Sequence, residues 1–252
     1  MNQEDEFERK RFRELSNRSS GQSTYIFTNF LNMNQGSLLR MMSNELGAEN
    51  ITYFGGFDGA ERVIARFGCE KELGYQLEFP ITCIHISPLQ QKFAQIIGHR
   101  DVLGAILNLG IERELIGDIN IKGQDIYVYT VDHIVDFIID ELTRINRTPI
   151  KSEKVSQGLV GAKTQFEEVQ AIIASERIDV LVAHLVKVSR SKVAELFASR
   201  KIFVNGKLME NYSYILKKGD IISIRGYGKV IYDGAMGQKK KERIKIGYRK
   251  YR

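Results

Sequence analysis

Apolar residues recur along this chain at two spacings, and the spacing changes from segment to segment. Leu38, Leu39, Met42 and Leu46 fall on one helical face within 35–47, and Gly47 is placed as a stop. Upstream, 4–15 reads as a charged, weakly amphipathic helix and 23–33 as a further helix. Short alternating runs at 50–54 and 63–67 predict two strands around the glycine-rich turn 55–62. From 75 the order is clearer: a strand region at 75–86, a helix over 87–110 interrupted near Gly98, and strands at 113–123 and 124–130 around Lys122-Gly123. An amphipathic helix at 131–145 follows, with Thr130 as its N-cap, then a strand at 147–156. That succession is β-α-β-β-α-β, the ferredoxin-like pattern.

After a linker at 158–164 and a strand at 165–175, a helix at 177–188 spaces Val180, Leu181, His184, Leu185 and Val188 for burial. Ser189 is a good N-cap for a second helix through Ser199, whose apolar stripe is Val193, Leu196 and Phe197. Asn205-Gly206 between 202–204 and 207–209 is the strongest short hairpin signal. Strands at 213–216 and 221–232 flank the turn 217–220. The predicted class is α+β. Its parts are a helical N-terminal region with a short hairpin (1–74), a ferredoxin-like domain (75–157), a linker and connecting strand (158–174), and a small α/β domain with a basic tail (175–252).

Composition narrows the class. Of 252 residues, 43% are hydrophobic and 27% charged, ordinary for a soluble globular protein. No run approaches the roughly 18 apolar residues of a membrane span. The start, MNQEDEFERKRF, lacks the apolar stretch of a secretory signal. Cys69 and Cys83 belong to no metal or redox spacing and are expected as buried thiols in a reducing compartment. A cytoplasmic protein is the expectation.

Charge changes the picture most. Residues 177–252 hold 19 Lys and Arg against 6 Asp and Glu, a net +13, whereas residues 1–176 carry a net −7. A cationic unit on an acidic body points to a polyanionic partner. Arg190 and Lys192 lie in the first turn of the helix that Ser189 caps. Cations there oppose the helix dipole, but free N–H groups at the same place suit a phosphate. Arg200 and Lys201 stand at the helix's other end.

The residues RID (177–179), SRSKVAELF (189–197), VNG (204–206), KKGD (217–220) and IRGYGK (224–229) resemble the alpha-L RNA-binding motif of the ribosomal protein S-four type. Together with YFGGFDGAER (53–62), GHRDVLGAILNLGIERELIGDI (98–119) and KKKERIKI (239–246), they resemble the YlmH family over most of the chain. The resemblance implies a helical N-terminal part, a ferredoxin-like middle and a C-terminal alpha-L domain. It also implies RNA binding, ribosome association and, in some bacteria, a link to cell division. Within it Arg190, Lys192, Arg200, Lys201, Lys207 and Arg225 face the RNA backbone. Arg177, Ser189, Asn205, Lys217, Lys218, Lys229 and the tail residues Lys239, Lys240 and Lys241 complete the expected RNA-binding set, with Asp179 orienting Arg177. At Arg200-Lys201 many members carry a Lys-Gly-type turn.

Candidate chemistry is sparse. The glycines at 55–59 fit neither the P-loop nor the dinucleotide fingerprint and read as a hairpin loop, with Glu61 and Arg62 as a surface pair beside it. The runs that mark pseudouridine synthases, RNA methyltransferases and tyrosyl-tRNA synthetases do not occur. His133 and His184 read as core or cap residues, and no Cys/His cluster has zinc spacing. His99, Arg100 and Asp101, with Arg113, Glu114 and Asp118, are the one candidate second polar site, read first as an ion-pair network. The expected function is therefore non-catalytic RNA binding, on ribosomal RNA or ribosome-bound tRNA, with no metal or cofactor. The acidic N-terminal two thirds is the candidate surface for a protein partner, and Tyr127 or Tyr129 would offer a base-stacking ring. The competing class is an RNA-modifying enzyme centred on His99-Arg100-Asp101.

Overall fold

The computed structural model describes residues 3–93, 95–155, 166–236 and 243–251. It divides into two units, one ending at Lys163 and one beginning at Thr164. The first opens with α1 (Gln3–Gln22), whose charged surface leaves Phe12 as a fully buried anchor. The segment 23–33, expected as a helix, is not one. Ser23 takes φ 48 just after α1, and β1 (Ile26–Phe27) pairs with Phe67 and Arg66. The next helix, α2 (Met33–Met41), begins only after Asn32. That cap accepts from the Gln35 N–H while the Gln35 side chain accepts from the Asn32 N–H, a reciprocal box. Strand pairing and the cap outweigh the helical reading of 23–33.

After α3 (Ser43–Leu46), β2 (Ile51–Phe54) and β3 (Ile64–Phe67) pair antiparallel, completing a three-stranded sheet of order β1-β3-β2. A short α4 (Glu70–Leu73) follows. The loop between β2 and β3 lies against the next domain. At Gly56, with φ 97, an added Cβ would lie 2.2 Å from the Tyr129 ring. The glycine-rich run there is a packing requirement, with no role as a phosphate cradle.

The middle of the chain forms β4 (Ile81–Pro88), α5 (His99–Leu107), β5 (Ile116–Lys122), β6 (Asp125–Val131), α6 (Val135–Glu141), β7 (Arg144–Ile145) and β8 (Thr148–Val155). The sheet order is β5-β6-β4-β8-β7 with every pair antiparallel. Leaving aside the two-residue β7, this is the ferredoxin-like arrangement. Ile84, Ile86, Ile126 and Val128 bury one face against Val102, Ile106, Val135 and Ile138 of the two helices. On the other face Ile81, Cys83 and Tyr129 pack on Phe30, Phe57 and Ile64 of the N-terminal region. The two parts therefore share a core.

Both helices are shorter than the periodicity suggests. Ser87 and Pro88 close β4, and α5 starts only after Gly98. Thr130 is no cap: it is buried inside β6 and its hydroxyl donates to the Leu115 carbonyl at 3.0 Å. Val131 continues the ladder opposite Ile81, so α6 begins four residues later. His133 lies exposed in the intervening turn, outside any core.

The second unit contains β9 (Phe166–Ile173), α7 (Ile178–Val186), α8 (Arg190–Ala198), β10 (Ile202–Val204), β11 (Lys207–Leu208), β12 (Ile221–Ile224), β13 (Gly228–Ala235) and β14 (Ile244–Tyr251). They form a six-stranded sheet of order β11-β10-β12-β13-β14-β9 under the two helices. Ile178, Leu181, Val182, Val193, Leu196 and Phe197 meet Ile202, Ile222, Val230, Tyr232 and Ile246 in one core. The stripe expected on α7 is partly displaced, since His184 is exposed. The segment 213–216 is not a strand; Ile215 makes only a single bridge to Arg177. Conversely, the region taken as a basic tail holds β14. Ile244, Ile246 and Tyr248 are buried at alternating positions, a period of two hidden among lysines and arginines. The linker at 158–164 lies outside the described residues.

Candidate nucleic-acid interface

The face of interest is built by α8 and the strand it leads into. Ser189 caps the helix, its Oγ accepting from the Lys192 N–H at 3.4 Å and lying 2.9 Å from Ser191 Oγ. Arg190 and Lys192 stand exposed in the first turn. Lys192 forms an ion pair with Glu195 one turn on, and that hydrogen bond holds its ammonium above the ordinary lysine range. The helix ends in a Schellman-type cap: the Lys201 N–H returns to the Leu196 carbonyl at 3.1 Å. Arg200 occupies the cap position with φ 55. Glycine is the usual residue there, so an arginine carries a conformational cost.

Strand register sorts the remaining cations. Ile202 lies opposite Ile224 and Val204 opposite Ile222. Lys201 and Arg225 therefore emerge at one end of the sheet, where the Arg225 guanidinium lies 4.6 Å over the Phe203 ring. Lys207 and the pair Lys217 and Lys218 belong to the opposite end, around the Asn205-Gly206 turn. Both turn residues have positive φ, 51 and 81, as a type I′ hairpin requires. The expected set is thus divided between two ends of one sheet, with Arg190, Lys192, Arg200, Lys201 and Arg225 at one of them or on the helix above it.

Two of the expected residues have internal duties. Asn205 donates to Asp220 Oδ1 at 2.8 Å and accepts from the Ile221 N–H at 2.9 Å. Its amide is committed to the hairpin and not to a ligand. Asp220, buried, also accepts from the Tyr214 hydroxyl and the Lys217 N–H. Burial, with the Asp220 charge beside it, pushes the Tyr214 phenol up to about 12. Arg177 is gripped by Asp179 through two hydrogen bonds of 3.0 and 2.8 Å, which orients its guanidinium at the start of α7. Lys229 is half-buried in β13. Lys239, Lys240 and Lys241 lie outside the described residues.

In the first unit the candidate polar site divides: His99 and Asp118 stay within electrostatic reach of Arg113, whereas Arg100 and Asp101 border a separate depression. Asp101 accepts from the Gly98 N–H at 2.8 Å, capping α5; that bond, with one from Asn146, holds its carboxyl below the usual range. Arg113 donates to the Ile116 and Gly117 carbonyls. Asp118 accepts the Glu61 and Arg62 N–H groups at 2.6 and 3.2 Å, yet burial pushes its pKa up. Arg62, read as a surface residue, is instead a clamp. It donates to the Ile116 carbonyl at 2.9 Å and the Phe30 carbonyl at 2.8 Å, and desolvation pulls it down to about 10. Surrounding protein and then the Arg113 charge lower the pKa of His99, although much of that residue is open to solvent. Arg100 and Asp101 instead border a wide depression shared with Arg144 and Asn146. Arg62, Asp101, Arg113 and Asp118 thus tie strands and loops together.

The sheet face that carries Tyr127 and Tyr129 also differs from expectation. Tyr129 is buried at 1% exposure against Phe57 and offers no free ring. Tyr127 is half-buried and stacks on His85 at 5.0 Å between centroids. His85 is held by Asp125 at 2.8 Å and Glu153 at 3.1 Å, and two carboxylates beside the stack disfavour a phosphate backbone. Among the described residues no group of His, Cys, Asp and Glu could hold a metal ion, and no helix is long and apolar enough to cross a membrane.

Comparison with known proteins gives the two units separate likenesses. Residues 75–158 match the family described as a putative RNA-binding domain in YlmH, and residues 176–222 match the S4 domain. Over 222 residues the chain is 26% identical to the ribosome-associated protein quality control protein P2 of Bacillus subtilis (strain 168), covering 88% of this chain and 85% of that protein. It also resembles the solved structure of the cell division protein ylmH from Streptococcus pneumoniae. There the TM-score is 0.49 at 23% identity, over 62% of this chain and 93% of that one. The chain thus carries a YlmH-type RNA-binding domain followed by an S4 domain, in an α+β architecture.

Proposed function

We propose that this protein, built from a YlmH-type domain and an S4 domain, is a non-catalytic RNA-binding protein. It acts in the cytoplasm on ribosomal RNA or on tRNA held by the ribosome, in translation or its quality control. The observation that carries the reading is the placement of Arg190, Lys192, Arg200, Lys201 and Arg225 around α8 and the sheet end it leads into. Free N–H groups at that helix start and a concentration of cations suit a phosphate backbone and need no base contact. The name of the Bacillus relative supports the ribosomal setting. The acidic first unit repels phosphate and serves as orienting body or protein-docking surface. Asp101 caps α5 and Arg113 holds the Ile116 and Gly117 carbonyls, which favours a structural over an enzymatic reading of that cluster.

The test is ultraviolet crosslinking of the tagged full chain in cells, followed by sequencing of the attached RNA and sedimentation of the lysate. Ribosomal RNA or tRNA should dominate the crosslinked fraction, and the protein should travel with ribosomal particles. Recovery of no RNA above an untagged control would overturn the proposal.

A further inference from the structure

Beside the α8 face lies a cleft of about 230 Å³, between the end of α7, the β12–β13 turn and strands β9, β13 and β14 of the six-stranded sheet. Ile222, Ile224 and Val230 line it from the core side, with Leu185. Three aromatic rings border it. His184 meets Tyr248 edge-on at 6.1 Å, with the Tyr248 hydroxyl 3.5 Å from His184 Nε2. Tyr227 is 54% exposed on the turn. Its neighbours Gly226 and Gly228 take φ 89 and 125, so the backbone that holds this ring outward is one other residues adopt only under strain. Lys187, Lys229 and Lys250 also line it. Lys187 itself has φ 57 at the end of α7, a conformation in which glycine would be unstrained.

We propose that this cleft receives a single unpaired nucleotide of the bound RNA, its base against Tyr227 and its phosphate toward the lysines. The proposal rests on the RNA-binding reading and adds a contact to it. Size is the first argument: the cleft is smaller than the roughly 300–1,000 Å³ of common small-molecule sites, which disfavours a cofactor. Chemistry is the second, since an exposed aromatic ring over an apolar floor beside cations is the usual platform for a splayed-out base. Position is the third. Tyr227 is two residues beyond Arg225, on the turn that joins β12 to β13. A nucleotide entering the cleft would therefore continue from the backbone held at Arg225. The one acidic residue of the lining, Glu167, stands in register with Lys250 on β9, two strands across the sheet from β13.

The probe is an RNA hairpin with a one-nucleotide bulge of 2-aminopurine, compared with the same hairpin carrying an abasic bulge, both titrated with the full chain. The base-bearing hairpin should bind roughly 5- to 150-fold more tightly, the range expected for one stacked base, with a change in 2-aminopurine emission. Tyr227→Ala should abolish the difference and leave abasic-hairpin affinity intact; Tyr227→Phe should preserve it. His184→Ala, at a second exposed ring, should weaken the preference independently. Equal wild-type affinity for the two hairpins, or a preference that survives Tyr227→Ala, overturns the pocket while RNA binding stands. Failure of both hairpins to bind overturns the pocket together with the RNA reading.

Discussion

The main-chain N–H of Arg225 donates to the carbonyl of Lys201 at 2.9 Å, so two cations far apart in sequence leave adjacent strands at the same end of a sheet. Lys201 is exposed and outside the core. Replacing it with alanine should leave the thermal midpoint almost unchanged. RNA affinity should fall, and the log–log salt slope should shrink by about 0.7 to 0.9, one phosphate's worth. Filter binding at four or five salt concentrations checks this. Arg225→Ala should behave alike but also cost about 0.5–1 kcal/mol through its lost contact with Phe203.

Arg200 pairs function against stability. Its left-handed backbone favours glycine, so Arg200→Gly should stabilise the second unit by roughly 0.5–1 kcal/mol, below the full cost of that conformation because glycine also loosens the unfolded chain. The same change should weaken RNA binding by removing a charge. Urea denaturation and an RNA titration on one preparation measure both, and a variant that is less stable would contradict the assignment of strain at this cap.

Leu196→Ala separates packing from contact. Leu196 is 4% exposed in the core between α8 and the sheet, so truncation should cost about 2–5 kcal/mol. RNA affinity extrapolated to the folded fraction should stay at the wild-type value.

Alkaline pH should weaken the second unit through Tyr214. Its phenol ordinarily loses a proton near 10 and in the folded chain only near 12. Between those values the folded state holds a proton the unfolded state has released, so stability present below pH 10 declines as pH rises toward 12. Tyr214→Phe should lower stability at pH 7 by about 0.5–1.5 kcal/mol, through the lost bond to Asp220, and flatten that decline. Chemical denaturation at pH 8, 10 and 11 reads the difference.

Much of the fold was legible because local signals agreed. The β-α-β-β-α-β order, the Ser189 cap, the Val193, Leu196 and Phe197 stripe and the Asn205-Gly206 hairpin each combine periodicity with a cap or turn residue. Two of the misreadings share a physical origin, since partners distant in sequence decided them. Ile26 and Phe27 are strand only because Phe67 and Arg66 lie beside them. Thr130 became a buried donor to Leu115 instead of a cap. The period of two in β14 was masked by its basic composition, although Ile244, Ile246 and Tyr248 carried it. The cations of the site were visible as residues, but their division between two sheet ends depends on strand register. The aromatic cleft needs β9, β13 and β14 side by side, and nothing in a linear reading brings them together.

The central claim is that α8 presents Arg190 and Lys192 to an RNA backbone. Its most direct test is the salt dependence of structured-RNA affinity for the full chain, wild type against Arg190→Ala with Lys192→Ala, with folding verified by circular dichroism. If about five phosphates are engaged, the wild-type slope should be near −3.5 to −4.5, and the double variant should lose about 1.4 to 1.8 of it. A folded double variant with the wild-type affinity and slope would contradict the account and place the RNA face elsewhere on the chain.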